Sequence, residues 1–165
     1  GLGDVYKRQV HIHLIAVGQK MPAWVDLACA DFLKRLPREL QLNTIEVPLL
    51  KRGKNPDIQR IVRDESRKVM DAIPAGCSLV ALDVKGSRIS TEKLAITLDN
   101  WMQQGRDIAI VIGGPDGLSN ELLQQADQAV SLSDMTFPHP LVRVIIVEQL
   151  YRAWSILNNH PYHRA

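Results

Sequence analysis

The stretch Ile108-Ala109-Ile110-Val111-Ile112-Gly113-Gly114-Pro115-Asp116-Gly117 decides the fold. Five consecutive apolar residues have no polar face. The strand they form is therefore buried on both sides, as in a parallel sheet with helices on each face. Glycines at 113, 114 and 117 then remove Cβ atoms, so backbone N–H and C=O groups are free to press on a ligand, and Pro115 stiffens the turn. A plain strand-to-helix turn has the same composition, so the segment alone leaves both readings open. Its spacing fits neither GxxxxGK[ST] nor GxGxxG, which excludes a phosphate loop and a dinucleotide fingerprint.

Outward from this strand, strand-like and helix-like stretches alternate. Upstream, Ile12 to Val17 reads as a first strand ending at Gly18. Pro22 opens a helix with Trp24, Leu27, Ala28, Phe32 and Leu36 on one face. Leu42 to Val47 is a second strand, followed by the basic loop Lys51-Arg52-Gly53-Lys54-Asn55-Pro56. Asp57 caps the next helix, with Ile58, Ile61, Val62, Val69 and Ile73 inward and Arg60, Arg63, Arg67 and Lys68 outward. Ser78 to Val84 is a buried strand interrupted only by Asp83. Ser90-Thr91-Glu92 starts a helix that turns Leu94, Leu98 and Trp101 inward and stops at Gly105. Downstream lie a short helix at Glu121 to Ala126, a strand at Ala129 to Leu132, a loop at Ser133 to Pro140, a long helix at Leu141 to Leu157 and a polar tail. Five strands alternating with five helices imply one α/β domain with a largely parallel sheet. His11 and His13 alternate on the first strand as an outer-face pair, without metal-ligand spacing.

The 165 residues are enough for a single buried core, at 45% hydrophobic and 23% charged. Lys and Arg number 20 against 18 Asp and Glu, a net charge of +2, so contact with nucleic acid has to come from local patches. No apolar run approaches the roughly 18–20 residues that span a bilayer. Cys29 and Cys77 read as buried, inert thiols of a reducing cytoplasm. Gly1 to Gln9 fit no element and have no apolar h-region, so they are set aside as a non-native or start-site extension. The single domain is residues 10–165.

Ligands of open α/β sheets bind outside the carboxyl ends of strands, and three such ends are unusual here. They are Leu82 to Gly86, Ile112 to Gly117, and Leu132 to Pro140. In the third, Met135 and Phe137 place large apolar side chains in a loop. They either cap the core or wrap a flat apolar ligand. The tail His160-Pro161-Tyr162-His163-Arg164 is either a frayed terminus or a set of rings and cations suited to an RNA loop. Arg143 and Arg152, nine residues apart, lie on different faces of the last helix. The basic loop at 51–54, with Arg60, Arg63 and Arg67, is either a charged surface or a set of phosphate contacts.

A series of motifs spans nearly the whole chain. They are Leu14 to Gly18 with Lys20-Met21-Pro22, Lys51 to Asn55, Ile112 to Ser119, Pro138 to Arg143, Glu148 to Ser155, and Asn159 to Arg164. The series resembles the ribosomal RNA large-subunit pseudouridine N3-methyltransferase H family of the SPOUT class, whose initiator methionine falls at Val10. The resemblance implies an α/β sheet whose C-terminal part is threaded into a trefoil knot, a homodimer, and S-adenosylmethionine as cofactor. It implies that Leu82, Gly113, Leu132, Ser133, Asp134, Met135, Thr136 and Phe137 contact the cofactor, with Gly114 and Gly117 shaping the turn. It further implies methyl transfer to N3 of a pseudouridine in bacterial large-subunit (23S) rRNA within assembled ribosomes in the cytoplasm. The reaction so implied calls for no metal and no membrane.

The chemistry that the resemblance implies is an in-line displacement in which N3 of the uracil ring loses its proton. His139, Arg143, Arg152, Tyr162, His163 and Arg164 are the candidates to take that proton or stabilise the anion, with the tail of one subunit closing the site of the other. The rivals are a non-catalytic ribosome-binding module of the same fold and a Rossmann-like enzyme. The latter lacks its glycine-rich first turn, because Gly18 stands alone.

Overall fold

The computed structural model describes residues 9–164, so the expected extension at 1–9 lies outside the described residues except for Gln9. Strands β1 (Val10–Val17), β2 (Leu40–Val47), β3 (Ser78–Arg88), β4 (Ile108–Ile112) and β5 (Gln128–Ser131) form one sheet in the order β2-β1-β4-β3-β5. Every pairing is parallel, so the carboxyl ends of all five strands leave along one edge. The helices are α1 (Ala23–Arg35), α2 (Ile58–Ala72), α3 (Thr91–Gln104), α4 (Asn120–Gln125) and α5 (His139–Leu157), and a 3-10 turn follows at Pro161–Arg164.

Both faces of the sheet are covered, as the unbroken apolar run of β4 requires. Ile12, Leu14, Ile108 and Ile110 pack with Leu98, Trp101, Ile146 and Leu150 of α3 and α5. Ile15, Val17, Ala109 and Val111 pack with Val69 of α2 and Leu122 of α4. Ser90 accepts from the Lys93 N–H at 3.1 Å, and Gly105 closes α3 at φ 66, so both ends of that helix are where the sequence puts them. Among the described residues, no helix is long and apolar enough to cross a membrane.

Some expectations shift. β3 does not stop at Val84 but returns to β5 at Ser87 and Arg88 after a register break that begins at Leu82. Gly86 sits in that break with the β5 backbone pressed against it, where an added Cβ would lie 2.6 Å from the Ala129 carbonyl carbon. α5 starts at His139, not Leu141, because Pro138 caps it and Pro140 fits its first turn. α1 is rotated from the expected face: Val25 is buried, Cys29, Phe32, Leu33 and Leu36 pack on the core, and Trp24 and Leu27 are exposed. The 25/29/32/33/36 stripe follows the helical repeat closely, whereas Trp24 and Leu27 lie to one side of it.

His11 and His13 are not an outer-face pair. They share a face of β1 with Ile15 and Val17, are half-buried, and stack with centroids 4.1 Å apart. Burial, and then the neighbouring His11, lower the His13 pKa below its ordinary 6.5. The folded state therefore holds the neutral ring, and its stability is present above the unfolded value and lost as pH falls through 6.5. Urea midpoints should drop between about pH 7.5 and about pH 5.5, and the drop should be smaller in His13→Gln. Equal drops in the two proteins would show that His13 is not the titrating group.

Candidate active site

The edge where the strands end holds a cavity of about 510 Å³, within the roughly 300–1,000 Å³ range of small-molecule sites. The three unusual strand ends meet there. Nine of the ten residues expected at a cofactor line it: Leu82 from β3, Gly113, Gly114 and Gly117 from the turn after β4, and Leu132, Ser133, Met135, Thr136 and Phe137 from the loop after β5. Asp134 does not, because its carboxylate turns away to Arg88 at 2.9 Å. Asp83 and Lys85, charges of opposite sign within the first of the three strand ends, also stand at the wall, and Val142 reaches it from α5, though none of the three is among the cofactor contacts that the resemblance implies. Asp83 had a signal, as the one polar interruption of an apolar strand. Val142 had none, since only the packed register of α5 turns it inward.

The turn at 113–117 is closed on itself. The Gly117 N–H donates to the Gly114 carbonyl at 3.0 Å, and Gly117 has φ 81. A Cβ on Gly113 would lie 2.8 Å from the Gly117 carbonyl carbon and 2.9 Å from its oxygen. The missing side chain thus lets the turn fold back, a different reason from the ligand approach expected from the sequence. Three outside groups hold this segment. His139 Nδ1 lies 3.1 Å from the Gly113 carbonyl, Arg52 donates to Asp116, and Ser66 Oγ accepts from the Ser119 N–H at 2.9 Å.

His139 and Arg143 work as one unit. The Arg143 Nε–H donates to His139 Nε2 at 2.9 Å. A guanidinium only donates, so Nε2 is the acceptor and Nδ1 carries the hydrogen given to Gly113. Burial, then Arg143, lower the His139 pKa, in keeping with a neutral ring. The remaining Arg143 nitrogens reach Glu46 at 2.7 Å and the Gly18 carbonyl at 2.8 Å. Both residues therefore have their polar atoms engaged in holding the ends of β1, β2 and β4.

The other candidates lie elsewhere in the chain. Arg152 is thirteen residues further along α5 than His139, about 20 Å by helical rise. It pairs with Glu148 at 3.1 Å and lies 4.9 Å from the centroid of the Tyr162 ring. The Tyr162 hydroxyl donates to the same Glu148 oxygen at 2.8 Å, and its ring packs edge-on to Tyr151. The tail is therefore docked on its own helix, not frayed. His163 is half-buried, its Nδ1 without a hydrogen-bond partner among the described residues, and Arg164 is exposed. Burial, then Glu148, raise the Tyr162 pKa, so its hydroxyl remains a donor.

Cys29 and Cys77 are half-buried free thiols, both raised in pKa by burial and so kept protonated. Among the described residues, no group of three His, Cys, Asp or Glu side chains is placed to hold a metal ion.

Residues 10–163 match the family model described as "Predicted SPOUT methyltransferase". The chain is 55% identical over 155 residues to the ribosomal RNA large subunit methyltransferase H of Thioalkalivibrio sulfidiphilus, covering 94% of this chain and 99% of that one. It is 51% identical to the protein of the same name from Methylococcus capsulatus, covering 94% and 100%. A probable methylase family protein from Haemophilus influenzae shares the fold at a TM-score of 0.52 and 13% identity, over 90% of this chain and 66% of that one. A parallel sheet with a cavity built from three strand ends, and kinship along nearly the whole chain, lead to one assignment: the chain belongs to the SPOUT methyltransferase family.

Proposed function

We propose that this protein transfers a methyl group from S-adenosylmethionine to N3 of a pseudouridine in bacterial large-subunit rRNA, acting in the cytoplasm on the assembled ribosome and as a homodimer. The observation that carries this reading is the cavity, formed by loops of a chain whose relatives bear the name of an rRNA methyltransferase. The same kinship supports the trefoil knot expected for the C-terminal half.

The residues present suit the cofactor. Leu82, Leu132, Met135 and Phe137 offer apolar walls for a flat base, and Asp83 and Lys85 offer both signs of charge for a zwitterionic amino-acid end. When bound, S-adenosylmethionine supplies a methyl group activated by its sulfonium. His139 and Arg143 keep the turn in place at Gly113 and Gly18. Arg152 lies far down α5, Tyr162 packs beside it from the 3-10 turn that also holds His163 and Arg164, and none of the four lines the cavity of its own chain. In the dimer we assign the tail of each protomer to the cavity of its partner. There Arg152 and Arg164 stabilise negative charge on the ring as its N3 proton leaves to water, and Tyr162, its hydroxyl given to Glu148, holds Arg152 in place with its ring. The small net charge supports the ribosome over free RNA as substrate, since the protein's own field recruits RNA only weakly.

The test is transfer of labelled methyl from S-adenosylmethionine to ribosomes lacking their methylpseudouridine, with free large-subunit RNA alongside and Gly113→Arg as the comparison. Label at a pseudouridine, stronger on ribosomes and lost in the variant, is the expected result. Equal labelling of free RNA would remove the ribosome requirement. Cofactor binding without labelling would mean a different substrate, and no cofactor binding would leave the non-catalytic ribosome-binding module.

A further inference from the structure

Arg52 stands in the basic loop that the sequence offers for phosphate contacts, but its guanidinium is committed within the protein. Nη1 donates to the Leu50 carbonyl at 2.7 Å and to Glu65 Oε2 at 2.6 Å. Nη2 and Nε donate to Asp116 Oδ2 at 3.1 and 3.2 Å. Lys51 and Lys54, its neighbours in the loop, are exposed.

The two carboxylates are not equivalent. The Glu65 side chain is 1% exposed and that of Asp116 is 35% exposed. A buried carboxylate without a counter-charge is costly, so Glu65 fixes Arg52 in place. Asp116 faces solvent and does not need the arginine for its own solvation. The effect runs the other way: Arg52, anchored from behind, holds the tip of the 113–117 turn. Among the described residues, the Asp116 side chain has no other hydrogen-bond partner. Glu65 lies directly behind the turn as well, with Oε1 3.4 Å from where a Cβ on Gly114 would stand. The start of the segment is held by His139 and its exit by Ser66, so without Arg52 the tip between them is untethered.

We propose that Arg52 is a positioning residue of the cofactor site, clasping Asp116 to the buried Glu65 so that the turn wall of the cavity is preformed. The identity of the cofactor rests on the methyl-transfer reading above; the clasp itself does not. Lysine at 52 keeps the charge that Glu65 requires but has no fork with which to span both carboxylates.

The test uses the full chain with Arg52→Lys, Asp116→Ala and the double variant. It reads S-adenosylmethionine affinity by calorimetry, thermal unfolding, and amide exchange at Gly117 without ligand. Each single variant should weaken the Kd by about three- to tenfold, with the double no weaker than the worse single. Both should unfold near the wild-type temperature and exchange the Gly117 amide faster. Affinities within about twofold of wild type, or single effects that simply add in the double, would overturn the proposal. Should the wild type bind no S-adenosylmethionine, the methyl-transfer reading fails by itself. Exchange at Gly117 then decides the clasp, and unchanged rates would end it.

Discussion

A Gly113→Ala protein should fold normally and bind S-adenosylmethionine about 10- to 100-fold more weakly than wild type. The substitution adds one carbon, but at a place with no room for it. That carbon meets the backbone of Gly117 at 2.8 and 2.9 Å and Leu118 Cγ at 3.0 Å. A flexible side chain could step aside; a backbone carbonyl at the closing point of a turn cannot do so without opening the turn. Opening it moves Gly114, Asp116 and Gly117, all at the cavity wall, and loosens the ties to Arg52 and His139. The fold should survive because β4 ends at Ile112 and its ladders to β1 and β3 do not include the turn. Calorimetry with S-adenosylmethionine, beside thermal unfolding, checks both halves of the expectation. Wild-type affinity in this variant would place the cofactor away from the turn, and the assignment of the cavity would fall with it.

The largest stability loss is expected at Arg143. Its residue is 4% exposed, and its three nitrogens donate to His139, Glu46 and the Gly18 carbonyl at 2.7 to 2.9 Å. Alanine leaves a void in the shape of the guanidinium and strands the His139 ring nitrogen and the Gly18 carbonyl, while Glu46, 39% exposed, is left to water. Breaking a buried charged network of this kind costs about 3–5 kcal/mol. For a chain of this length that corresponds to a Tm lower by roughly 6–20 °C. Arg143→Lys should recover only part of the loss, since an ammonium cannot take up three partners set out by a planar fork. A Tm within about 2 °C of wild type in Arg143→Ala would show that the network contributes little.

The parts of the molecule legible in the sequence are those written in short-range pattern. The apolar run of β4, the glycines after it, the caps Asp57 and Ser90 and the stop at Gly105 depend on neighbours a few residues away, and each sits where expected. The three strand ends were separable for the same reason. Partnerships across the fold were not legible. Arg143 looked like a surface or substrate-facing cation because Glu46 and Gly18 lie 97 and 125 residues away in sequence. Glu65, buried against an arginine in the preceding loop, has nothing in its neighbours along the chain to mark it out. Trp24 and Leu27 drew the eye as bulky apolar groups, but packing against α5 and the sheet chose the stripe through Val25. Asp134 was grouped with its loop, and a single pairing with Arg88 turned it outward. The tail carried the right residue types for RNA without showing that Tyr162 would fold back onto Glu148.

The place of β4 between β1 and β3 sets a timetable for making the protein. β1 finds β2 soon after both are synthesised, but its other edge has no partner until β4 emerges. The backbone N–H of His11, for instance, waits for Asp107, 96 residues later. At cellular rates of elongation that interval is roughly 5–20 s, long compared with hairpin or helix formation. Through it the nascent chain carries an open, apolar strand edge of the kind that recruits other chains. Substitutions that weaken β4 should therefore be felt first as a poorer yield of soluble protein, before any change in the activity of the molecules that finish folding.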